Sequence, residues 1–431
     1  MKICVIGTGY VGLVTAACLA NLGNAVTCVD NDREKISALQ KGMVPFYEPG
    51  LEDLVKRNSD GGRILFSTDP VRSIRLSEVV FIAVGTPSKG TGEADISAVI
   101  EVAKQIAKAL KINAGAFPKI IVNKSTVPVG MGDIVTKILV ESGASEKCFA
   151  VVSNPEFLRE GSAISDFMHP ERIVIGASNN RAFNVITELY RPLNAHIIFT
   201  SIKSAELIKY ASNAFLATKI SFINEIADIC ERVGADISEV ADAMGLDGRI
   251  GRDFLNAGIG YGGSCLPKDI SALMHLAREN GYEPKILTSV AEVNEFQVES
   301  FVGKIIKVLR GLEGRQIAVL GLSFKPQTDD LREAPSLKII KRLQDGGARV
   351  SAYDPSLRKR SVAGVKVSND AYSALKGADA MVLATEWAEF HELDFERVKK
   401  LLKKPIIFDG RNVYEPKKMR ELGFAYHGVG K

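Results

Sequence analysis

The sequence contains little that would indicate a metal centre, a disulfide scaffold or a nucleic-acid surface. Its 431 residues include only 6 cysteines and 5 histidines, with no C-x-x-C pair and no Cys/His group at metal-ligand spacing. The net charge is only +4, and no basic run is interleaved with aromatic residues, which argues against nucleic acid or an anionic membrane as a partner. The scattered thiols favour a reducing cytoplasm, and we expect no bound metal.

No apolar run is long enough for a membrane span. The uncharged stretch from residue 3 to 29 superficially resembles a signal peptide, but Gly7, Gly9, Gly12 and Asn21 interrupt it. A bilayer span needs roughly 20 mostly apolar residues. With 46% hydrophobic and 25% charged residues, the chain reads as a cytoplasmic globular protein of about three domains.

The first half of the chain alternates between predicted strands and helices. Strand-like runs cover residues 2–6, 25–30, 79–84, 120–123 and 149–152, and helices are predicted at 12–22 and 95–111. Such alternation predicts a doubly wound parallel sheet with right-handed crossovers over roughly residues 1–195.

The second half begins with helices and then repeats the α/β pattern. Apolar residues at helical spacing predict long helices within 203–245 and 283–310, and strands follow at 316–321, 349–354, 380–384 and 405–409. A polar insert at 323–332 stands where the second fold would carry a glycine loop. We therefore predict two Rossmann-like doubly wound parallel-sheet domains joined by a long central helix, which is a common dimerisation element.

A dinucleotide fingerprint follows the first strand. Its residues are Gly7, Gly9, Tyr10, Val11 and Gly12, and Asp30 ends the next strand. The first glycine permits the tight turn, the second lets the backbone approach the pyrophosphate, and the third allows the helix to pack on the strand. Asp30 would accept hydrogen bonds from the ribose hydroxyls and repel a 2′-phosphate, so NAD is favoured over NADP.

Other polar residues follow the predicted strands or lie beside Asp30. Thr86 comes after one strand, and Ser125 and Thr126 come after the next. Ligands of open α/β sheets sit at the carboxyl ends of strands, although ordinary turn chemistry would also explain these loops. Lys35 and Arg33 could each bind a phosphate. For Arg33, a position on the solvent-exposed face of the following helix is the simpler interpretation.

Cys265 lies in the glycine-rich segment 261–269, and Lys268 and Asp269 follow it within the same segment. As a thiolate, Cys265 could add to a carbonyl carbon, and this requires a nearby cation or a helix N-terminus. The alternative is a buried structural thiol. Glycines and a proline around Cys265 favour the functional interpretation.

Two carboxylates stand four residues apart after the strand at 149–152. Glu156 and Glu160 would lie on one side of a helical turn, and one could deprotonate a hydrolytic water. A solvated turn paired with Arg159 is the alternative.

Lys209 and Asn213 are four residues apart on the predicted central helix. Lys209 could pair with Glu206, or it could offer its ammonium to a developing oxyanion.

Together these motifs resemble the UDP-glucose 6-dehydrogenase branch of the UDP-glucose/GDP-mannose dehydrogenase family, nearly from end to end. The segments that carry the resemblance are 7–12, 124–128, 154–161, Lys209-x-x-x-Asn213, 262–269, Phe324-Lys325 and 409–411. The resemblance implies an NAD-binding Rossmann domain at 1–200, a central helical dimerisation and catalytic region at 201–312, and a UDP-sugar-binding Rossmann-like domain at 313–431.

The family chemistry implies a four-electron, NAD-dependent oxidation of the UDP-glucose C6 alcohol to UDP-glucuronate. The resemblance makes Cys265 the thiol that captures the aldehyde and forms the thioester, with Glu156 as the base for hydrolysis. It assigns the oxyanion and its water to Lys209, Asn213 and Asp269, with Thr126 near the nicotinamide. GDP-mannose oxidation by the same mechanism is the alternative, ahead of a two-electron hydroxyacid-type dehydrogenase or a non-catalytic nucleotide-sugar sensor.

The resemblance also implies two sets of binding residues. Those expected to contact NAD are Gly7, Gly9, Tyr10, Val11, Gly12, Asp30, Lys35, Thr86, Ser125, Thr126, Glu160, Cys265, Lys268 and Arg332. Those expected to contact the nucleotide sugar are Glu156, Phe157, Leu158, Arg159, Glu160, Lys209, Asn213, Phe254, Asn256, Gly258, Tyr261, Gly262, Phe324, Lys325 and Arg411, with Arg249 supplied by the other subunit of a homodimer.

Overall fold

The chain folds into two compact units in a computed structural model that describes residues 1–112, 118–357, 362 and 364–431. The first unit contains Met1–Ser212 and Ser271–Asn280, and the second contains Asn213–Ile270 and Gly281–Lys431. The three-domain boundaries at 200 and 312 remain a prediction.

Parallel strands supply the framework of both units. In the described part of the chain they are β1 (Lys2–Ile6), β2 (Ala25–Val29), β3 (Ile64–Ser67), β4 (Val79–Ile82), β5 (Lys119–Asn123), β6 (Phe149–Ser153), β7 (Arg172–Ala177), β8 (His196–Thr200), β9 (Gln316–Leu320), β10 (Arg349–Tyr353), β11 (Lys366–Val367), β12 (Ala380–Leu383), β13 (Ile406–Asp409) and β14 (Ala425–His427).

The helices of the same described residues are α1 (Tyr10–Asn21), α2 (Arg33–Gln40), α3 (Leu51–Asp60), α4 (Pro70–Leu76), α5 (Ser97–Ile112), α6 (Met131–Glu141), α7 (Ala163–Met168), α8 (Asn180–Tyr190), α9 (Ile202–Val233), α10 (Ile237–Gly245), α11 (Leu266–Glu279), α12 (Lys285–Leu309), α13 (Pro335–Asp345), α14 (Ala371–Leu375), α15 (Ala388–His391), α16 (Phe395–Leu401) and α17 (Pro416–Glu421). None of them has both the length and the apolar character to cross a bilayer.

The sheet of the first unit has the order β3-β2-β1-β4-β5-β6-β7-β8 among the described residues. The sheet of the second unit has the order β11-β10-β9-β12-β13-β14, and its neighbouring strands are all parallel. This confirms the predicted fold class, with one correction. β7 runs antiparallel to β6, with Val152 opposite Ala177, so the first sheet is not wholly parallel.

Strand β1 shows why these sequences form central strands. Ile3 and Val5 belong to the hydrophobic core on one side of the sheet, and Cys4 and Ile6 belong to the core on the other side. A parallel strand covered by helices on both faces is therefore a continuous apolar run without polar alternation.

A buried carboxylate organises the turn after the first strand of the second sheet. One oxygen of Asp354 accepts hydrogen bonds from the backbone N–H groups of Leu322 and Ser323 at 2.7 and 2.9 Å, and the other accepts from the Ser356 N–H at 2.9 Å. Asp354 is completely buried. The side chain that would contact a ribose in a nucleotide-binding fold here stabilises the protein's own backbone.

We expect the substitution Asp354→Ala to destabilise the second unit by on the order of 3 kcal/mol, because it leaves several buried N–H groups without an acceptor. The melting temperature and the urea midpoint of the purified chain would measure this. Asp345→Ala, at an exposed position, is the control and should change stability by no more than about 0.5 kcal/mol. Equal effects of the two substitutions would contradict this account of Asp354.

Candidate functional site

The sequence-predicted residues fall into both units and are described for each unit in turn. The first unit holds Gly7, Gly9, Tyr10, Val11, Gly12, Asp30, Lys35, Thr86, Ser125, Thr126, Glu156, Phe157, Leu158, Arg159, Glu160 and Lys209. The second unit holds Asn213, Arg249, Phe254, Asn256, Gly258, Tyr261, Gly262, Cys265, Lys268, Asp269, Phe324, Lys325, Arg332 and Arg411.

The glycine turn after β1 has the geometry that a dinucleotide requires. Gly7 has φ +103°, and a Cβ there would lie 2.3 Å from the carbonyl oxygen of Ala83. A Cβ on Gly12 would lie 2.0 Å from the Gly7 oxygen, so neither position tolerates a side chain. A Cβ on Gly9, by contrast, would meet no atom of the described residues within 4 Å. The open space beside Gly9, at the start of α1, fits a pyrophosphate.

Asp30 lies at the end of β2, beside this turn. Its Oδ2 accepts hydrogen bonds from the Thr8 N–H and Oγ1 at 2.9 and 2.6 Å, and Lys35 Nζ lies 3.4 Å away. Burial alone would raise the pKa of Asp30, but these hydrogen bonds and the one from the Asp32 N–H outweigh it and lower the pKa. Asp30 is therefore ionised at neutral pH, as an acceptor for ribose hydroxyls must be.

The loops after β4 and β5 are joined by hydroxyl hydrogen bonds. Thr86 Oγ1 donates to the carbonyl oxygen of Thr126 at 2.7 Å, and Ser125 Oγ donates to that of Val84 at 2.7 Å. Thr86 and Ser125 are buried, whereas Thr126 is half-buried. These bonds fix the backbone of Thr126 at the carboxyl edge of the sheet.

A buried ion pair lies after β6. Lys209 Nζ is 3.0 Å from Glu156 Oε1, and each side chain is only 4% exposed. Glu156 Oε2 accepts a hydrogen bond from the Leu158 N–H at 2.6 Å. Burial by itself raises the pKa of Glu156, but Lys209 and the Leu158 N–H together lower it below its ordinary value. The pair is therefore ionic at neutral pH.

Three predictions about these residues are corrected. Glu156 and Glu160 do not share a helical turn, since the chain from 154 to 159 is irregular. The solvated-turn alternative is wrong because Glu156 is buried and Arg159 pairs with Asp166.

The third correction concerns Lys209, which pairs with Glu156 and not with Glu206. The two carboxylate oxygens of Glu206 instead accept hydrogen bonds from backbone N–H groups at the start of α6.

The structure adds a buried polar cluster that the sequence reasoning missed. Lys124 Nζ donates to Asn154 Oδ1 at 3.0 Å, and the Tyr190 hydroxyl donates to the same oxygen at 2.7 Å. Burial lowers the pKa of Lys124 to about 8, with Lys209 also lowering it and Glu156 opposing. Lys124 and Asn154 could have been found from the sequence, because each is a polar residue that lies just after a predicted strand. No sequence pattern indicated Tyr190, because only the tertiary fold brings α8 to this edge of the sheet.

The glycine-rich loop of the second unit is shaped by close backbone contacts. A Cβ on Gly262 would lie 2.2 Å from the Glu333 oxygen, and one on Gly263 would lie 2.7 Å from the Phe324 ring. The Gly263 N–H donates to the carbonyl oxygen of Arg332 at 2.9 Å. The loop therefore keeps one conformation, which leads directly into α11.

Cys265 immediately precedes α11 and is half-buried. Its carbonyl oxygen accepts the Asp269 N–H at 2.9 Å, the first hydrogen bond of that helix. Partial positive charge at a helix N-terminus stabilises a thiolate. Cys4 and Cys18 are completely buried, and burial raises the pKa of each thiol to about 12.

Asp269 contacts the predicted catalytic residue Asn213 and the predicted NAD contact Lys268. Its Oδ2 accepts a hydrogen bond from Asn213 Nδ2 at 2.6 Å, and its Oδ1 lies 2.5 Å from Lys268 Nζ. Asp269 is completely buried, and Asn213 is 8% exposed. The amide of Asn213 is thus oriented by a carboxylate that does not itself reach solvent.

Arg411 ties the predicted sugar-binding segments of the second unit together. It donates to the carbonyl oxygens of Gly260 and Ala384 at 3.0 Å each. A Cβ on Gly258 would lie 2.8 Å from the Gly410 carbonyl oxygen and 3.3 Å from the Arg411 guanidinium, so the backbone contact requires glycine here. Lys325 is half-buried, with its Nζ 5.8 Å from the Phe324 ring centroid.

Other predicted residues lie nearer the surface. The Arg249 side chain is 90% exposed and pairs with Asp247. Asn256 is exposed and accepts from Arg252, and Arg332, 58% exposed, pairs with Asp330. The described residues contain no group of three or more His, Cys, Asp or Glu side chains placed to hold a metal.

Fold and site together define a dinucleotide-binding α/β protein with a thiol at a helix start. Three domain profiles of the UDP-glucose/GDP-mannose dehydrogenase family match it, namely the NAD binding domain at residues 1–194, the central domain at 203–296 and the UDP binding domain at 318–416. The chain belongs to the UDP-glucose/GDP-mannose dehydrogenase family.

Named relatives are similar over nearly their whole length. UDP-glucose 6-dehydrogenase TuaD of Bacillus subtilis is 51% identical over 100% of this chain and 93% of its own. UDP-glucose 6-dehydrogenase of Rhizobium meliloti is 48% identical over 100% of both. The solved UDP-glucose dehydrogenase of Pyrobaculum islandicum superposes with a TM-score of 0.92 at 38% identity, over 99% of this chain and 97% of that one.

Alkylation tests the assignment of Cys265 as the reactive thiol. We expect limiting iodoacetamide at neutral pH to modify Cys265 before the buried Cys4 and Cys18. Cys148, also half-buried but outside a glycine loop, is the internal control and should react more slowly than Cys265, because it does not precede a long helix. Peptide mass spectrometry across a pH series gives the order. Faster reaction at Cys148 than at Cys265 throughout would contradict the assignment.

Proposed function

We propose that this chain catalyses the NAD-dependent four-electron oxidation of the UDP-glucose C6 alcohol to UDP-glucuronate. The observation that carries the proposal is Cys265, half-buried at the start of α11 and followed by an aspartate that orients Asn213. Membership in the family and the substrates named for the relatives support UDP-glucose as the sugar nucleotide.

The hydride-accepting chemistry is supplied by NAD when it is bound, and the balance is one alcohol, one water and two NAD⁺ giving one carboxylate, two NADH and three protons. The residues that fit NAD are the turn at Gly7, Gly9 and Gly12, the ionised Asp30 and the joined loops of Thr86 and Thr126.

Cys265 supplies the covalent step. The C6 alcohol first loses one hydride and one proton and becomes the aldehyde. The Cys265 thiolate then adds to the aldehyde carbon, a carbon–sulfur bond forms, and the oxyanion takes up a proton to give a hemithioacetal. Loss of a hydride and a proton from that adduct leaves a thioester on Cys265. Lys209 and the Asn213 amide, oriented by Asp269, stabilise negative charge on the oxygen.

Glu156 completes the reaction as the base for hydrolysis. Lys209 keeps its carboxylate ionised, so it can accept a proton from water near Thr126 at neutral pH. The hydroxide attacks the thioester carbon, the carbon–sulfur bond breaks, and the Cys265 thiolate leaves.

The remaining binding roles follow the family resemblance. We assign the nucleotide sugar to 156–160, 254–262, Phe324, Lys325 and Arg411, and we assign further NAD contacts to Lys268 and Arg332. Close packing around Gly258, Gly262 and Gly263 fixes the conformation of these segments in the second unit, as a binding site would require.

We also propose a cytoplasmic homodimer that pairs through α9, with Arg249 reaching the other subunit. Phe215, Phe222 and Ile229 follow each other at seven-residue intervals on α9 and are 65%, 45% and 47% exposed. An exposed apolar stripe of this kind is typical of a helix that packs against another helix.

NADH formed per sugar consumed tests the function. We expect two NADH per UDP-glucose, and we expect acid formation to be lost in Cys265→Ala but kept in the control Cys148→Ser. GDP-mannose assayed in parallel distinguishes the alternative substrate. One NADH per sugar, or normal turnover of Cys265→Ala, would refute the thioester route. Turnover of GDP-mannose alone would refute the proposed substrate.

Trapping tests the assignment of Glu156. In Glu156→Gln, hydrolysis should slow by ~10²- to 10⁴-fold, the usual contribution of a general base, and the thioester should persist on Cys265. Intact mass and peptide mapping after rapid quenching would show the adduct. Glu188→Gln, at an exposed position on α8, should behave as wild type. Full-rate hydrolysis without an adduct in Glu156→Gln would exclude the role.

A further inference from the structure

A buried carboxylate that the proposed mechanism does not use caps the helix after the Thr126 loop. Glu206 on α9 is 2% exposed. Its Oε2 accepts a hydrogen bond from the Gly130 N–H at 2.7 Å, and its Oε1 accepts from the Gly132 N–H at 2.8 Å. Gly130 precedes α6 and has no side chain to cap it, so Glu206 supplies the acceptor that an N-cap residue normally provides.

The local sequence is adapted to this contact. A Cβ on Gly132 would lie 2.4 Å from Ile202 Cγ2, so only glycine lets the start of α6 approach α9 this closely. Gly130 has φ +98°, a conformation that disfavours other residues. Two glycines and one carboxylate therefore fix where α6 begins.

The Thr126 loop is consequently held at both ends. Its front is joined to the preceding loop by the hydrogen bond from Thr86 Oγ1 to the Thr126 carbonyl oxygen. Its far end runs into Gly130, which Glu206 holds. Glu206 lies one turn before Lys209 on α9, so one short helical segment positions both the Thr126 loop and the partner of Glu156.

We propose that Glu206 is a positioning residue for the oxidation, and that its ionised carboxylate fixes the start of α6 and thereby the position of Thr126. The role of Thr126 in this inference rests on the proposed function. Glu206 itself contacts backbone N–H groups and acts only through them.

The charge state of Glu206 supports this role. The pKa of Glu206 is raised to about 7, chiefly by burial and to a smaller extent by Asp133, while the two N–H groups and Lys203 oppose the shift. Asp133 on α6 and Lys203 on α9 are the charged groups facing it, and they pair with each other at 3.0 Å.

Ionised Glu206 is not retained for stability. Because the folded pKa lies above the ordinary value of 4.5, the folded chain binds more protons than the unfolded chain between about pH 4.5 and 7. The contribution of Glu206 to stability therefore falls as the pH rises through this range. Above pH 7 the carboxylate accepts both N–H bonds at a cost in stability, which is typical of a functional group.

The pH dependence of kcat, measured with UDP-glucose and NAD, tests the proposal. Wild type should show a limb that rises near pH 7. In Glu206→Gln the NH₂ group of the amide would face one of the two backbone N–H groups, so one hydrogen bond is lost. This variant should lack the limb near pH 7, and its kcat should fall by roughly 10- to 100-fold, because misplacement by about 1 Å can cost ~10²-fold. The KM for UDP-glucose should change little. Glu141→Gln, at an exposed position on α6, should keep the wild-type profile. An unchanged profile in Glu206→Gln would overturn the proposal.

Hydrogen exchange on the wild type keeps the test decisive if Glu206→Gln does not fold. After correction for intrinsic rates, protection of the peptide covering 124–133 against local opening should increase from pH 6 to pH 8. The two N–H bonds lower the pKa of Glu206, so breaking them while Glu206 stays buried costs more when its carboxylate is ionised. Equal protection at both would overturn the proposal. This readout needs no substrate, so absence of UDP-glucose oxidation together with pH-dependent protection would count against the proposed function and leave the anchoring by Glu206 intact.

Discussion

The organisation of the first unit depends on one buried ion pair. Glu156 and Lys209 are both almost inaccessible to water and lie 3.0 Å apart, and moving two charges out of water costs several kcal/mol per ion before attraction offsets it. Replacing a buried ion pair by hydrophobic residues of similar volume is often neutral or stabilising. We therefore attribute the arrangement to the proposed chemistry, since it keeps a carboxylate ionised and an ammonium oriented away from bulk solvent. β6, the start of α9 and the loops beside them hold the two groups in place.

The two units share one hydrogen-bonding arrangement, but only the first keeps a turn that can bind a dinucleotide. In each, an aspartate at the end of the second strand of the nucleotide-type sheet accepts hydrogen bonds from the turn after the first strand. Around Asp30 the turn keeps glycines and open space beside Gly9, so a dinucleotide fits. Asp354 is completely buried, in contrast to the partly exposed Asp30, and its oxygens accept hydrogen bonds from the chain's own N–H and hydroxyl groups. The second fold thereby gives up the dinucleotide turn, and we propose that its recognition surface is formed by Arg411, Lys325 and the loop that ends at Cys265.

Sequence was sufficient for features set by local pattern. The apolar runs of β1, β4 and β5 and the glycine fingerprint predicted the architecture because a strand buried on both faces and a tight turn have distinctive compositions. β7 and its antiparallel pairing were missed, since strand direction depends on which neighbour the chain meets in space. The partner of Lys209 was missed as well, because Glu156 is distant in sequence and Glu206 is nearer. Lys124 and Tyr190 were not grouped, as only packing brings α8 to the strand ends.

A stability and activity comparison of Lys209→Met, Glu156→Gln and the double variant tests most directly whether the buried pair serves catalysis. Lys209→Met alone should lower the free energy of unfolding by about 3–5 kcal/mol, because it leaves a buried charge without its partner. The double variant should regain the stability of the wild type and show no oxidation of UDP-glucose to the acid. A double variant that retains turnover, or one as unstable as Lys209→Met, would contradict the conclusion that the pair is maintained for chemistry.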